Sequence, residues 1–291
     1  MKLTVDVDGR QVVLSNLDKV LYPAVGFTKG EVLDYYSRIA PALLGHLAGR
    51  ALTRKRYPDG VDGPVFYEKN APRGTPDWIR TVTLPSPGSG KDRDTIDYVV
   101  VDDLAALIWT ANLAALELHT PMWRVDRDAP DLLVLDLDPG APADVVACCE
   151  VALLLRPLLE AEGLTPVVKT SGNKGLQLYA RADPFTASSQ TSAFAKSLAQ
   201  RLESEHPGLV VHRMAKALRP GRVLVDWSQN SAAKTTVSVY SLRARSTPTV
   251  STPVTWAEVE SCRAVADLTF TTDEVLARVD AHGDLFAPLL G

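Results

Sequence analysis

Apolar residues recur along this chain with two spacings, and most of its elements follow from them. Leu3, Val5 and Val7 alternate with polar residues and lead across Asp8-Gly9 into Gln11 to Leu14, which predicts an opening β-hairpin. Thr28, with Glu31 three residues on, makes a capping box. Val32, Leu33, Tyr36, Ile39, Ala40, Leu43, Leu44 and Leu47 then fall at helical spacing, so a helix is predicted from about Lys29 to Leu47. Ala51 to Tyr57 reads as a strand with Arg54 and Arg56 on one face and Lys55 on the other. Val65-Phe66-Tyr67 reads as a second short strand or loop. Ser86 to Thr95 is polar and rich in turn residues, the composition of a surface loop. A strand over Tyr98 to Val101, a helix over Asp103 to Leu118 with His119 at its end, and a strand over Met122 to Val125 follow.

In the second half, the apolar run Leu133 to Leu137 is a buried strand stopped by Pro139-Gly140. A long helix over Ala143 to Glu162 and a strand over Thr165 to Thr170 make a strand, helix, strand order that predicts a βαβ unit. Then come a strand over Leu176 to Ala180, a helix from about Gln190 to Glu205, and strands over Leu209 to Met214 and Val223 to Trp227 around a basic turn. An extended stretch at Thr235 to Tyr240 and short helices near Trp256 to Cys262 and Asp273 to Asp280 close the chain. The fold class expected is α/β, with mixed sheets.

With 291 residues, 46% of them hydrophobic, the chain has material for one large domain or two moderate ones. No apolar run approaches the roughly 18 to 20 residues needed to cross a bilayer, and Met1 to Gly9 lacks an apolar stretch of signal-peptide type. A cytoplasmic protein without membrane contact is expected. Adjacent Cys148 and Cys149 and the distant Cys262 fit neither a disulfide framework nor a zinc site and read as packing residues. The net charge of −4 hides a lopsided distribution. Arg50, Arg54, Lys55 and Arg56 crowd one segment, and Arg213, Lys216, Arg219 and Arg222 another; both are candidates for phosphate contact.

Three short stretches carry the chemistry. Asp136 and Asp138, two apart on a strand, project from one face at about 7 Å. Two bare carboxylates there repel, and a divalent metal between them removes the penalty; taken alone, the same residues also fit a strand entering an Asp-Pro-Gly turn. Ser171-Gly172-Asn173-Lys174-Gly175 lacks P-loop spacing, yet it offers glycines for close backbone approach to an anion, a hydroxyl and a lysine. A plain turn would look similar. Asp226 interrupts an apolar strand and needs a partner: Arg222, a backbone amide, or a metal shared with the other two aspartates.

Together these stretches resemble the polymerase domain of bacterial LigD, of the archaeo-eukaryotic primase superfamily, which works in non-homologous end joining. The likeness rests on D-L-D-P-G at 136–140, T-S-G-N-K-G at 170–175, V-D-W-S-Q-N-x-x-x-K-T-T at 225–236 and Y-S-L-R-A-R at 240–245. It extends to L-S-N-L-D-K-V-L-Y-P at 14–23, T-R-K-R-Y-P at 53–58, F-Y-E-K at 66–69 and L-E-L-H-T-P-M-W at 116–123. The resemblance implies one primase-polymerase unit, with an N-terminal subregion (1–125) leading into a primase-type catalytic core (126–291). It implies Asp136, Asp138 and Asp226 as catalytic residues holding two Mn²⁺ or Mg²⁺ ions. Ser171, Lys174, Gln177, His119, Lys234, Arg243 and Gln229 would hold an NTP or dNTP. Phe66 and Tyr67 would stack on template bases, Lys19 and Lys29 would grip the 5′-phosphate of gapped or broken DNA, and Lys55 and Arg56 would flank that track. On this reading Ser86 to Thr95 helps break ends meet, and Ku and a separate DNA ligase are partners of a monomer that stands alone rather than as a fragment of LigD.

One departure stands out: where the family motif reads S-G-x-K-G-x-H, this chain has Gln177. Glutamine can donate a hydrogen bond but cannot carry charge, so weaker triphosphate binding or altered nucleotide choice is expected. Three rivals to a gap-filling polymerase follow from the residues: a primase that starts chains without a primer, a non-catalytic module that grips 5′-phosphorylated ends for a ligase, and a D-x-D phosphohydrolase or glycosyltransferase. The last does not account for 171–175 together with Asp226-Trp227-Ser228-Gln229.

Overall fold

In the computed structural model, which describes residues 2–85 and 94–291, two sheets face each other across a cleft. The strands in chain order are β1 (Lys2–Val7), β2 (Arg10–Ser15), β3 (Val20–Tyr22), β4 (Phe27–Thr28), β5 (Thr53–Arg56), β6 (Phe66–Glu68), β7 (Thr81–Pro85), β8 (Thr95–Val99), β9 (Ala115–Thr120), β10 (Leu132–Pro139), β11 (Val167–Thr170), β12 (Leu176–Arg181), β13 (Val210–Val211), β14 (Val223–Asp226), β15 (Thr236–Val237) and β16 (Pro253–Val254). The helices are α1 (Lys29–Leu47), α2 (Leu104–Asn112), α3 (Val145–Ala161), α4 (Ser188–Glu205), α5 (Trp256–Ser261) and α6 (Thr272–His282). The fold is mixed α/β. One sheet has the order β13-β14-β10-β12-β11-β16, the other β15-β9-β5-β6. Among the described residues no helix is long and apolar enough to cross a membrane.

Side-chain alternation on the central strand explains the two cores. Leu133, Leu135 and Leu137 of β10 point into one core with Cys148, Val151 and Leu155 of α3 and Ala195, Leu198 and Leu202 of α4. Leu132 and Val134 point the opposite way, into a core with Tyr36, Ile39 and Leu43 of α1 and Leu107 of α2. Asp136 and Asp138 continue that second face. A strand buried on both sides therefore delivers two carboxylates to the cleft between the sheets. The three cysteines are buried and unbridged.

The expected βαβ unit is present in split form. β10 and β11 both pair antiparallel with β12, so they run parallel to each other with β12 inserted between them. Nor do the cores follow chain order: Val239, Tyr240, Leu242, Val275, Leu276 and Phe286 return to the core of α1, and β15 joins the sheet built by β5, β6 and β9. The helix expected over Asp103 to Leu118 ends at Asn112. Ala114 takes φ 57°, which breaks the helix, and Ala115 to Thr120 forms β9 with His119 inside it. No strand forms at Met122 to Val125. Residues 86–93, most of the expected loop at Ser86 to Thr95, lie outside the described residues.

Candidate active site

Asp136 stands directly across from Gln177 on β12 and from Asp226 on β14. Burial pushes its carboxyl up to about 6; the Gln177 amide opposes this by donating from Nε2 to Oδ1 at 3.1 Å, while Asp226 and Asp138 add to it. Asp138 is held by cations, with Lys174 Nζ 3.0 Å from Oδ1 and Arg219 Nη1 3.4 Å from Oδ2. Asp226 is turned into its own loop: Oδ1 accepts from the Ser228 amide at 2.9 Å and the Ser228 hydroxyl at 2.6 Å, and Oδ2 from Gln229 Nε2 at 2.8 Å. With each carboxylate tied to a neighbour, no three His, Cys, Asp or Glu groups among the described residues stand close enough to hold a metal ion. The donor chemistry nonetheless fits a hard divalent cation. Three carboxylates lie on adjacent strands, and the unfavourable ionisation of Asp136 is a cost that such a cation would offset.

The loop after β11 closes over the ends of these strands. Ser171 Oγ accepts from the amides of Gly175 at 3.1 Å and Asn173 at 3.3 Å, so its hydroxyl shapes the turn. Gly172 has φ 65°, the left-handed region that favours glycine. At Gly175 the need is for space, because a Cβ there would overlap the carbonyl oxygen of Leu137 on β10. This contact sets the loop, and Lys174 with it, against the acidic strand.

Across the cleft, Glu117 and His119 share a face of β9. Glu117 is 3% exposed, and its carboxylate lies 2.9 Å from His119 Nε2, 3.1 Å from Lys55 Nζ and 3.3 Å from Arg243 Nε. Burial pushes the Glu117 carboxyl up, but His119, Arg243 and Lys55 outweigh it and hold the group far below the usual range. Burial lowers the proton affinity of His119, against the pull of Glu117. A neutral ring that gives its Nε2 proton to a carboxylate keeps Nδ1 as an acceptor. Arg243 also donates from Nη1 to the carbonyl of Ser171 at 3.0 Å, joining the two walls. Between them lies a cavity of about 300 Å³, lined by His119, Asp136, Asp138, Ser171, Lys174, Gln177, Gln229, Thr235 and Arg243 among others. Lys234 donates to the Ser228 hydroxyl and does not line the cavity.

The residues expected on DNA separate into groups. Lys19 pairs with Asp59 at 2.8 Å; Lys29 is buried, donates to the Ser15 carbonyl at 2.6 Å, and has its pKa lowered to about 8 by burial and then by Lys19 and Arg56. Lys19, Lys29 and Arg56 thus share one electropositive neighbourhood. Arg56 is also paired with Glu68 at 2.8 Å. Lys55, on the other face of β5, points instead to Glu117 in the cleft. Phe66 and Tyr67 are 46% and 54% exposed on the edge strand β6, and the Tyr67 hydroxyl lies 3.4 Å from that of Thr235 at the cavity rim. Sequence reading passed over Glu117 and Lys169. The alternation of Glu117 and His119 was a signal for the first, but a lysine inside Val167-Val168-Lys169-Thr170 carries none without the strand pairing.

The family profile described as "LigD, primase-polymerase domain" matches residues 28–286. The "Multifunctional non-homologous end joining protein LigD" of Mycobacterium bovis is 45% identical over 289 residues, 96% of this chain and 37% of that protein. The "Bifunctional non-homologous end joining protein LigD" of Bacillus subtilis is 31% identical over 271 residues, 92% of this chain and 42% of that protein. The chain thus spans well under half the length of these relatives. A solved structure, "Polymerase Domain from Mycobacterium tuberculosis Ligase D in complex with DNA", superposes with a TM-score of 0.89 at 43% identity, covering 96% of this chain and 98% of that one. With the split sheet, the acidic strand and the cation-lined cleft, this match places the chain in the LigD primase-polymerase domain family.

Proposed function

We propose that this protein is a template-dependent nucleotidyltransferase that adds NTPs or dNTPs to primer ends at short gaps and broken DNA ends, in the cytoplasm and together with Ku and a DNA ligase activity. The observation that carries the reading is the cavity itself. It sets Asp136 and Asp138 on one wall and Lys174, Arg243 and His119 around them, at a size near the lower end of small-ligand sites. Lys174 and Arg243 counter triphosphate charge, and Gln229 and Thr235 add polar groups to the cavity lining. Asp136, Asp138 and Asp226 would hold two Mn²⁺ or Mg²⁺ ions, releasing Lys174 from Asp138 as nucleotide enters. Bound there, the ions would lower the pKa of the primer 3′-hydroxyl and neutralise the leaving pyrophosphate. Phe66 and Tyr67 offer exposed rings to template bases, and Lys19, Lys29 and Arg56 offer charge to a downstream 5′-phosphate.

The test is extension of a labelled primer across a short gap bearing a 5′-phosphate, with Mn²⁺, comparing NTPs with dNTPs and wild type with Asp136→Ala. Metal-dependent extension that disappears in the variant is the expected result. Gap binding without extension by the wild type would instead make the protein an end-binding module, and extension that survives Asp136→Ala would sink the polymerase assignment.

A further inference from the structure

The lysine that sequence reading overlooked sits behind the acidic strand. Lys169 on β11 is 1% exposed and lies opposite Gln177 in the β11–β12 register. Its Nζ contacts Gln177 Oε1 at 2.5 Å, Ser251 Oγ at 2.6 Å and the Val237 carbonyl at 3.1 Å. All three partners accept. The amide and peptide oxygens can do nothing else, and the Ser251 hydroxyl spends its proton on the Thr170 carbonyl at 2.9 Å. Only an ammonium has three N–H donors for them. Burial and nearby Arg243 favour loss of that proton and Asp136 favours its retention; three acceptors around one nitrogen, with the Tyr179 ring centroid 5.5 Å away, decide for the charged form.

This arrangement fixes an otherwise ambiguous side chain. A glutamine amide has a donor end and an acceptor end of nearly equal size. Because Lys169 captures Oε1, Nε2 is left to face Asp136 Oδ1 at 3.1 Å. Resting on the metal-dependent reading above, we propose that Lys169 is a positioning residue that acts through Gln177, locking its amide so that an N–H donor always meets Asp136 and aims that carboxylate for the metal. Lys169 and Gln177 form one unit spread over two strands. The charge that glutamine cannot carry at position 177 sits one strand further back.

The test reads Mn²⁺ binding directly, by electron paramagnetic resonance of free Mn²⁺ titrated with protein alone, on variants whose thermal melting shows them folded. Lys169→Met and Gln177→Met should each weaken binding about 10- to 100-fold, as loss of an outer-sphere partner does. The double variant should be no weaker than either single one. Gln177→His placed in the Lys169→Met background should restore most of the affinity, because an imidazole N–H meets Asp136 without help from the lysine. Multiplicative losses in the double variant would show two independent structural contributions and overturn the proposal, as would a folded Lys169→Met with unchanged affinity. If Lys169→Met does not fold, Gln177→Met alone decides: unchanged affinity refutes the unit. Wild type that binds Mn²⁺ but never extends a primer leaves the Lys169 inference standing while the polymerase reading falls, and wild type that binds no Mn²⁺ removes both.

Discussion

Replacing Glu117 with glutamine keeps the shape of the side chain and removes its charge. In the wild type that charge is shared among Lys55 at 3.1 Å, Arg243 at 3.3 Å and His119 at 2.9 Å, in a setting where the carboxylate is 3% exposed. At an effective dielectric near 20, a pair about 4 Å apart interacts by about 4 kcal/mol. Leaving buried charges unmatched typically costs about 3–5 kcal/mol. Lys55 keeps part of its solvent contact, so the lower end, about 3 kcal/mol, applies to Glu117→Gln. At about 2–4 °C per kcal/mol, the melting temperature should fall by about 10 °C at pH 7. The pH dependence has a definite sign. The folded-state pKa of Glu117 is held far below its ordinary 4.5, so its stabilisation is complete above 4.5 and drains away progressively as pH falls from there towards the depressed folded-state value. Melting of the two proteins should therefore differ most at pH 6–8, and the gap should narrow below pH 4.5 without closing at pH 3–4, where the folded carboxylate is still ionised. A loss under about 1 kcal/mol at pH 7, or a difference that persists undiminished at pH 3.5, would refute the reasoning. Nucleotide affinity should fall with stability, since Lys55, His119 and Arg243 lose their common anchor.

Three further outcomes follow from the geometry. With Lys29 at a pKa of about 8, preference for 5′-phosphorylated over 5′-hydroxyl gaps should fade between pH 8 and 9 as the ammonium is lost, a change read by fluorescence anisotropy; a preference constant to pH 9.5 would mean Lys29 does not contact the phosphate. Gly175→Ala forces a methyl group into the Leu137 carbonyl and should cost about 1–3 kcal/mol in chemical denaturation, as overpacking does, and disturb the acidic strand from behind. Phe66→Ala and Tyr67→Ala should each weaken binding to a template overhang by about 1–3 kcal/mol with little change in melting temperature, because both rings are about half exposed; wild-type affinity in either would remove that ring from the template path.

Local signals were readable along the chain where one segment decides its own conformation. The capping box of Thr28 and Glu31 fixes the start of α1, and its apolar stripe carries the helix to Leu47. The alternation of β10 that puts Asp136 and Asp138 on one face is likewise local. Reading failed where two periods compete: Leu113 to Leu118 is apolar enough for a helix, and only the left-handed turn at Ala114 makes it a strand. It was silent where the partner is distant. Gly175 is small because of a carbonyl 38 residues earlier, Asp136 meets Asp226 through strand register, and Lys169 matters because β12 lies between β11 and β10. One sequence does not encode register visibly, since a shift of one residue reverses every face.

The return of the chain's end to its beginning has a consequence for how the protein is made. Tyr35 donates to the Tyr240 carbonyl at 2.8 Å, Tyr240 to Asp284 at 2.7 Å, and Asp284 meets His46 at 2.8 Å. The first and last of these contacts span 205 and 238 residues, and the sheet carrying His119 is incomplete until Thr236–Val237 pairs with β9. A nascent chain emerging from the ribosome therefore cannot finish its first half first. α1 must wait, partly exposed, for the segment from Thr236 to Phe286, a long-range closure that slows folding and leaves the chain vulnerable to chaperone capture or aggregation until that segment has emerged.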